Sequence, residues 1–293
     1  MSGNSGPLFF PDRAGSWTVA VVEQEQLARD TWRIRIDAPA LARQITPGQF
    51  VMIRMPNMQD PLLGRPFALY DTVDDSNGEN RFVDIVYLVK GKLTSQLVKL
   101  VTGQNVEVVG PLGNGFVPAV SLKHVVFIAG GIGQTPFVAY AKELTERRSY
   151  GDPPRPSFRA DRITICYGAR SADWLAGLTD FENAGCELQI ATDDGSAGHH
   201  GLVTELLAKI LDSDSVDLIV TCGPEPMMAA VATMALANEV DCEVSLETPM
   251  ACGIGACFSC VVPVRQADGD WDYKRTCVEG PVFPADRVIW DAE

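Results

Sequence analysis

The chain has 293 residues, of which 46% are hydrophobic and 21% charged, and its formal net charge at pH 7 is −14. Its length suits about two domains and a smaller module, and its acidity argues against nucleic acid or an anionic membrane as partners. The sequence has no apolar run of the about 20 residues that a transmembrane helix needs.

Residues 1–15 are rich in Ser, Gly and Pro and lack the basic and apolar regions of a signal peptide. We expect them to form a flexible extension. Eight cysteines without an export signal suggest a reducing compartment, so we predict a cytoplasmic protein.

Residues 16–118 have the pattern of a small antiparallel β-barrel. Six β-rich segments, separated by turn residues, lie at 17–27, 31–38, 49–55, 65–73, 81–90 and 105–109. Apolar residues have helical spacing at 94–101. A series of short strands with one helix is typical of a closed barrel.

Three segments of this barrel carry candidate binding chemistry. Arg65 beside the rigid Pro66 suits a diphosphate, because guanidinium makes bidentate contacts, although a surface charge at a strand edge has the same pattern. Residues 87–95 open a helix with amides and hydroxyls that suit an anion, and an ordinary N-cap at Thr94 is the alternative. Residues 110–116, Gly-Pro-Leu-Gly-Asn-Gly-Phe, are either functional or a turn that joins two domains.

Residues 119–243 alternate between apolar strands and helices. The strands are expected at 124–129, 163–167, 187–191, 217–221 and 242–246, and the helices at 137–148, 172–182, 202–211 and 225–238. This alternation predicts a doubly wound parallel sheet covered on both faces. The fold class is therefore multidomain α+β, with a barrel, an α/β domain and a small lobe.

Two turns of the α/β domain suit a nucleotide. Residues 130–136 form a Gly-rich turn from strand into helix, where free amides and the helix dipole attract phosphate. Residues 222–224, Cys-Gly-Pro, follow another strand at its carboxyl end, where such sheets bind ligands.

The last fifty residues contain the most specific pattern in the chain. The spacing is C-x4-C-x2-C, then sixteen residues, then a fourth cysteine. This is the spacing of a plant-type 2Fe–2S site, whose irons need soft thiolate ligands. Gly253 and Gly255 permit positive φ angles and a close approach of the backbone. We predict a cluster-binding lobe at residues 244–293, with the ligands Cys252, Cys257, Cys260 and Cys277.

Three other interpretations of these cysteines were considered. Structural zinc usually has two C-x2-C pairs, whereas only Cys257 and Cys260 have that spacing. A disulfide framework suits small secreted domains. Buried inert thiols would not need the two interleaved glycines. The 2Fe–2S cluster is favoured, and it requires an electron donor and an acceptor.

With these elements in order, the chain resembles the ferredoxin-NADP reductase superfamily, and within it the electron-transfer subunits of heterodimeric dihydroorotate dehydrogenase. The resemblance runs from about Trp17 to the end of the chain. Its most specific pieces are residues 65–66, 110–116, 222–224, 250–260 and 277–283. The resemblance implies that the barrel binds FAD, the α/β domain binds NAD(H), and the lobe holds the 2Fe–2S cluster beside the flavin.

The resemblance also implies a role for each matching residue. The FAD diphosphate would lie on Arg65, and the flavin would lie along Pro66, Phe67 and Ala68. The rest of FAD would contact Tyr87, Leu88, Val89, Gly91, Leu93 and Thr94. The nicotinamide nucleotide would contact Gly131, Gly133, Thr135, Pro136, Cys222, Gly223 and Pro224. The chain departs from the family at Ala68, where Ser is usual, and at Leu93, where Gly is common.

The implied activity is a relay from NADH through FAD and the cluster to an FMN-containing dihydroorotate dehydrogenase catalytic subunit, in a heterotetramer of two copies of each. No side chain need act as a general acid or base. Asp193 and Asp194 favour NADH over NADPH, because an acidic residue repels the 2′-phosphate, while Arg170 is opposing evidence. Near the cluster, Met250, Ile254 and Phe258 either pack inward or contact the partner.

Alternatives remain open at this point. On the same scaffold, the chain would be the reductase subunit of a ferredoxin:NADP transhydrogenase, sulfite reductase or hydrogenase. In a different class, it would be a zinc-stabilised binding module or a redox-sensing regulator without turnover.

Overall fold

The computed structural model of the chain describes residues 10–117, 122–155 and 158–290. The predicted extension lies mostly outside these ranges, but Phe10–Arg13 form a 3-10 helix and the first strand begins at Gly15. The predicted boundary between residues 118 and 119 also lies outside the described residues.

The first sheet is antiparallel and curves into the predicted barrel. Its strands are β1 (Gly15–Ala28), β2 (Thr31–Asp37), β3 (Phe50–Arg54), β4 (Arg65–Ala68), β5 (Asp71–Asp74), β6 (Asn80–Leu88) and β7 (Asn105–Leu112). They are hydrogen-bonded in the order β4-β3-β7-β1-β2-β6-β5. Alternation produces the core, since Ile34 and Ile36 are fully buried on one face of β2.

The two edge strands, β4 and β5, follow one another in the chain and are separated only by Leu69 and Tyr70. The amide of Leu69 donates to the carbonyl oxygen of Gln49 at 2.9 Å, and the amide of Tyr70 donates to that of Asp84 at 3.1 Å. The single strand predicted at residues 65–73 is therefore wrong. It is two strands, because the chain must leave the β3 edge and reach β6.

Two short helices accompany the barrel, α1 (Pro39–Gln44) and α2 (Lys92–Leu97). The sequence analysis missed α1, which begins with Pro at its first position. It placed α2 at residues 94–101, but the helix ends at Leu97. The next turn has hydrogen bonds between residues three apart, as in a 3-10 helix, and does not continue the α-helix.

The second sheet is the predicted doubly wound sheet. Its strands are β8 (Leu122–Gly130), β9 (Ala160–Ala169), β10 (Glu187–Thr192), β11 (His199–His200), β12 (Leu218–Cys222), β13 (Asp241–Ser245) and, from the C-terminal lobe, β16 (Val282–Pro284). The order is β11-β10-β9-β8-β12-β13-β16, and only the pair β13–β16 is antiparallel. The chain reverses direction across the sheet between β8 and β12, and ligands of such folds bind at the carboxyl ends there.

The helices of this domain are α3 (Phe137–Leu144), α4 (Leu178–Ala184), α5 (Val203–Ser213) and α6 (Glu225–Ala237). Helix α3 ends four residues before the predicted end. The helix predicted at 172–182 is a 3-10 turn, Ala172–Trp174, followed by α4, because Gly177 adopts a left-handed φ of 70° between them. Among the described residues, no helix has the length and apolar character needed to cross a membrane.

The C-terminal lobe contains a two-stranded hairpin, β14 (Val261–Arg265) and β15 (Trp271–Arg275). The lobe is not a separate unit, because β16 returns to the α/β sheet and pairs Phe283 with Val244 of β13. Strand β13 also crosses the predicted boundary between residues 243 and 244.

Direct contacts join the barrel to the α/β domain. The Tyr70 hydroxyl donates to Asp180 Oδ2 at 2.6 Å. The Tyr150 hydroxyl donates to the buried Asp71 at 2.9 Å. The ring of Phe116 stacks on that of Tyr140 at 4.5 Å. These contacts set the orientation of the two domains and therefore of their facing strand ends.

Candidate functional site

The loop between β13 and β14 carries three of the four predicted cluster cysteines. Gly253, Gly255 and Phe258 have positive φ angles of 72°, 83° and 57°. A Cβ on Gly253 would lie 2.6 Å from Cγ of Met52, and one on Gly255 would lie 2.6 Å from a methyl group of Val278. Both glycines are therefore required by the backbone conformation and by close packing.

The structure brings the four cysteines together in two pairs. The Sγ atoms of Cys260 and Cys277 are 3.3 Å apart, and Cys252 is near enough to Cys257 to contribute to lowering its pKa. A 2Fe–2S cluster takes four thiolates, two on each iron. In the described part of the chain, no three His, Cys, Asp or Glu residues are grouped so that they could hold one metal ion between them. The donor set fits a binuclear cluster.

The two pairs differ in exposure. Cys260 and Cys277 are buried, whereas Cys252 is partly buried and Cys257 is exposed. Burial raises the pKa of the Cys277 thiol to about 12, and hydrogen bonds from Ser259 lower the pKa of Cys257 to about 6. The inner pair packs against Phe50, Met52, Leu112 and Val278, so the buried thiols would hold a cluster from the barrel side and Cys252 and Cys257 from the solvent side.

Two loop-ordering residues were missed by the sequence analysis. The Ser259 hydroxyl accepts a hydrogen bond from the Ala251 amide at 3.2 Å. Arg275 donates to the carbonyl oxygen of Gly255 at 3.1 Å and lies over the ring of Phe258 at 5.1 Å. The only local signal for Arg275 is its partner Glu279 four residues later, a spacing that many exposed ion pairs share.

The segment at residues 110–116 attaches the lobe to the barrel. The Asn114 amide donates to the carbonyl oxygen of Gly280 at 2.7 Å. Its side chain donates to the carbonyl oxygen of Val282 at 2.8 Å and accepts from the Val282 amide at 3.2 Å. The segment therefore does join two parts of the chain, the barrel and the lobe.

The predicted flavin strand, β4, lies at the edge of the barrel sheet. Arg65 is exposed and donates to the carbonyl oxygens of Leu63 and Gly64, both at 3.0 Å. Within the described residues it has no carboxylate within ion-pair distance, which leaves its charge available for an anion. Pro66 pairs across the sheet with Met52, which also contacts the cluster loop. Phe67 is buried and Ala68 is partly exposed.

The other predicted FAD residues divide into two groups. Leu88 and Val89 are partly exposed and Gly91 is exposed. Tyr87 and Leu93 are buried in the barrel core, 1% and 2% exposed, with the Tyr87 ring edge-on to Phe67 at 6.1 Å. The side chains of Tyr87 and Leu93 therefore pack in the core under the surface where FAD is expected to bind.

Thr94 caps its own turn. Its hydroxyl accepts hydrogen bonds from the amides of Lys90 and Gly91, both at 3.0 Å. The N-cap of α2 is Gly91 and Thr94 is the third residue of the helix, so the predicted N-cap at Thr94 is wrong by three residues. The turn nevertheless occupies the hydroxyl that was expected to meet the phosphate. An anion here would meet the amides that open α2.

The predicted NAD residues converge where the chain order of the sheet reverses. A Cβ on Gly133 would lie 2.3 Å from the carbonyl oxygen of Cys222, and one on Gly130 would lie 2.6 Å from Pro224. The turns after β8 and β12 are therefore in direct contact. Gly131 is partly exposed, and Gly223 adopts a φ of 155°. Thr135 and Pro136 are buried at the start of α3.

Cys222 is a neutral thiol in this arrangement. Burial raises its pKa to about 12, with Glu247 adding to the shift and a hydrogen bond from Ser245 opposing it. A thiol of this kind packs against a ligand but does not act as a nucleophile.

The loops after β9 and β10 bring the specificity candidates together. The Asp194 amide donates to the carbonyl oxygen of Arg170 at 3.2 Å, and the Asp193 amide donates to that of Ala169 at 3.0 Å. Asp193, Asp194 and Arg170 are all exposed. The two aspartates that favour NADH and the arginine that would favour NADPH therefore lie on neighbouring loops.

Three family models match successive parts of the chain. An oxidoreductase FAD-binding domain matches residues 18–116, and an oxidoreductase NAD-binding domain matches residues 127–233. The iron-sulfur cluster binding domain of dihydroorotate dehydrogenase B matches residues 247–289. The last match favours iron over the zinc alternative.

Similar proteins and structures match the chain over most of its length. The electron transfer subunit of dihydroorotate dehydrogenase B (NAD(+)) from Desulforamulus reducens is 37% identical over 90% of this chain and 95% of its own length. The one from Fusobacterium nucleatum is 34% identical over 92% and 96%. The structure of an NADH-dependent reduced ferredoxin-NADP oxidoreductase has a TM-score of 0.78 at 29% identity, covering 98% of this chain and 92% of that one.

The resemblance inferred from the sequence is thereby confirmed, as are the barrel, the α/β domain and the cofactors FAD, NAD and an iron–sulfur cluster. The chain belongs to the family of electron transfer subunits of NAD(+)-dependent dihydroorotate dehydrogenase B.

Proposed function

We propose that this protein transfers electrons between NAD(H) and a catalytic subunit that interconverts dihydroorotate and orotate in pyrimidine biosynthesis. The observation that carries the proposal is the position of the four-cysteine loop. It packs on the barrel strand beside Arg65–Ala68 and presents Cys257 to solvent. The bound flavin and cluster supply the conversion between two-electron hydride chemistry and one-electron transfer.

The residues of the barrel bind and orient FAD in this proposal. Arg65 holds the diphosphate, because a guanidinium without a carboxylate partner is free for bidentate contacts. Pro66, Phe67 and Ala68 support the flavin, and Leu88, Val89 and Gly91 line the remainder. Tyr87, Leu93 and Thr94 order this surface rather than offering side-chain polar atoms to it.

The two contacting turns of the α/β domain bind the nicotinamide nucleotide. Gly131, Gly133, Thr135 and Pro136 bring backbone close to the phosphates. Cys222, Gly223 and Pro224 form the surface for the nicotinamide. The partly buried, neutral Cys222 excludes water there without adding a charge. Asp193 and Asp194 favour NADH over NADPH.

The C-terminal lobe holds the last redox carrier on the path of the electrons to the partner. Cys252, Cys257, Cys260 and Cys277 hold a 2Fe–2S cluster, with the pair Cys260 and Cys277 towards the barrel. Residues 16–118, 119–243 and 244–293 are the corresponding functional domains. Strand β13 of the α/β sheet crosses the last of these boundaries, between residues 243 and 244.

The partner would be an FMN-containing dihydroorotate dehydrogenase catalytic subunit, in a cytoplasmic heterotetramer with two copies of each chain. The exposed cluster edge supports a docking role. Ile254 and Phe258 are 43% and 61% exposed, whereas Met250 packs against the buried cysteines. Met250 is therefore placed to shield the cluster, and Ile254 and Phe258 are placed to contact the partner.

The experiment combines this protein with its cognate dehydrogenase subunit. Alone, the protein should oxidise NADH with artificial dyes but not reduce orotate. The complex should reduce orotate with NADH. Ile254→Asp and Phe258→Asp should weaken orotate reduction more than dye reduction, while Leu236→Asp, an exposed position at the end of α6, should change neither. The proposal fails if the two subunits, each fully loaded with cofactor, do not associate and their mixture does not reduce orotate with NADH.

A second candidate has one specific observation in its favour. The structure of an NADH-dependent reduced ferredoxin-NADP oxidoreductase matches nearly the whole chain. A subunit of that type would pass electrons to a second pyridine-nucleotide flavoprotein. It would co-purify with such a protein and would show NADH-dependent reduction of NADP⁺ in the presence of reduced ferredoxin.

A further inference from the structure

The hairpin of the C-terminal lobe has an exposed aromatic face. Strands β14 and β15 pair Arg265 with Trp271, Pro263 with Tyr273, and Val261 with Arg275. Trp271 and Tyr273 are 50% and 56% exposed. Their rings meet edge to face with centroids 5.3 Å apart. Residues two apart on a strand share a face, so both rings lie on the same side as Arg275.

The opposite face of this hairpin is already used by the protein's own core. Val264 is 5% exposed and packs with Phe283 and Val288, and Val262 and Trp290 are partly buried against the same residues. The solvent-side face of an antiparallel sheet is usually polar. Two large exposed aromatic residues on this face are therefore not explained by the folding of the lobe.

The aromatic face continues to the cluster loop. Arg275, at the end of β15, holds its guanidinium 5.1 Å from the ring centroid of Phe258 and donates to Gly255 in the loop. Phe258 is itself exposed and immediately follows the exposed Cys257. Trp271, Tyr273, Arg275 and Phe258 thus form a continuous surface, the aromatic strip, with one end at the solvent-facing edge of the cluster site.

We propose that the aromatic strip is the main docking surface for the catalytic subunit, an inference that rests on the function proposed above. A stable interface covers about 800 Å² on each partner, which corresponds to a disc of about 16 Å radius. Trp271 lies four residues along the strand from Arg275, about 13 Å away. A disc of that size, about 32 Å across, is therefore wide enough to include both the strip and the neighbouring Cys257 edge in one interface.

The composition of the strip fits an interface that carries binding energy. Trp, Tyr and Arg are the residue types enriched among the few that dominate protein–protein affinity. The turn of the hairpin adds the exposed acidic residues Asp268 and Asp270. The matching surface of the catalytic subunit has apolar pockets for the two rings and basic residues at the rim opposite this turn.

The test measures the affinity of the cofactor-loaded protein for its cofactor-loaded cognate dehydrogenase subunit by calorimetry. Trp271→Ala and Tyr273→Ala should each weaken binding by roughly 30-fold, as expected of residues that dominate an interface. The matched control is Leu236→Ala, which removes an exposed apolar side chain from α6 and should bind as the wild type does. Dye reduction and the visible spectrum should be unchanged in all three variants, which shows that they remain folded and loaded.

Each outcome bears on a different claim. If both strip variants bind the subunit as tightly as the wild type, the strip is not the docking surface, and the proposed function stands. If the wild type itself does not bind the subunit, the proposed function and this inference both fail. If the wild type alone sediments as a dimer that Trp271→Ala dissociates, the strip is a contact between copies of this chain and the inference is overturned.

Discussion

Asn114 is joined to Val282 by a pair of hydrogen bonds across 168 residues of sequence, the side chain donating to the carbonyl oxygen at 2.8 Å and accepting from the amide at 3.2 Å. Asn114 follows the last barrel strand, and Val282 begins β16, which pairs with the α/β sheet. One side chain therefore connects the barrel to the strand that ties the lobe to the α/β domain.

Asn114→Ala should leave the backbone groups of Val282 without these partners. The expected loss is about 1–3 kcal/mol in the free energy of unfolding, because a partly buried polar group loses its hydrogen bonds. Denaturant unfolding of the loaded protein would measure it. Asn105→Ala, at an exposed position of β7, is the control. Equal stability of the two variants would contradict the role of Asn114.

Serine at Cys260 or Cys277 should abolish or weaken iron binding while FAD remains bound, because both thiols face the same point from different parts of the lobe. Iron analysis and the visible spectrum would report the loss. Cys242→Ser is the control, since burial raises the pKa of Cys242 to about 12 and the thiol lies outside the four-cysteine spacing. Full iron content in the Cys260 and Cys277 variants would refute the ligand assignment.

Arg65→Ala should raise the dissociation constant of FAD by roughly tenfold or more, since a charge-assisted hydrogen bond contributes about 1.5–3 kcal/mol. Titration of the apoprotein with FAD gives the constant directly. Arg54→Ala is the matched control, because Arg54 lies on the neighbouring strand β3 and already pairs with Glu107. An unaltered constant in the Arg65 variant would show that the diphosphate binds elsewhere.

The wild type should have a higher kcat/KM for NADH than for NADPH in dye-coupled assays. Asp193→Ser should reduce this preference by roughly fivefold, which corresponds to about 1 kcal/mol of repulsion between two charges in water. Asp212→Ser, in an exposed position of α5, should leave it unchanged. A wild-type preference for NADPH would mean that Arg170 governs the site instead.

Glu243 should make the protein less stable as the pH rises. Its Oε2 atom is buried without a hydrogen-bond partner among the described residues, and burial raises its pKa to about 7 from an ordinary value of 4.5, against the opposing charge of Arg155. Between these values the folded chain binds more protons than the unfolded chain, so stability falls from about pH 4.5 to about pH 7.

Glu243→Gln should remove that contribution, which amounts to about 3 kcal/mol above pH 7. Thermal midpoints measured at pH 5 and pH 8 would therefore differ less in the variant than in the wild type. Glu182→Gln, an exposed position of α4, should keep the wild-type difference. The same pH dependence in all three proteins would mean that Glu243 is ionised in the folded state.

Local features of the sequence were sufficient for the class of fold and for the type of site. The cysteine spacing and the two interleaved glycines predict a 2Fe–2S loop, because ligand spacing and backbone freedom are properties of a short segment. The change from alternating to continuous apolar strands predicts a barrel followed by an α/β domain. The proposal for Arg65 also rests on a local feature, because an Arg beside a Pro on a predicted strand can be recognised from two residues.

The tertiary structure alone decided which of these groups face one another and which face solvent. Thr94 was expected to offer its hydroxyl to a phosphate but closes its own turn, and β16 joins the α/β sheet instead of the lobe. Asn114 and Arg275 order the site through partners that no local pattern specifies. The physical reason is that long-range pairing and exposure depend on how distant segments share one core. Tyr273 and Trp271 carry no signal in the sequence, and they form a surface with Phe258 only once the lobe has folded.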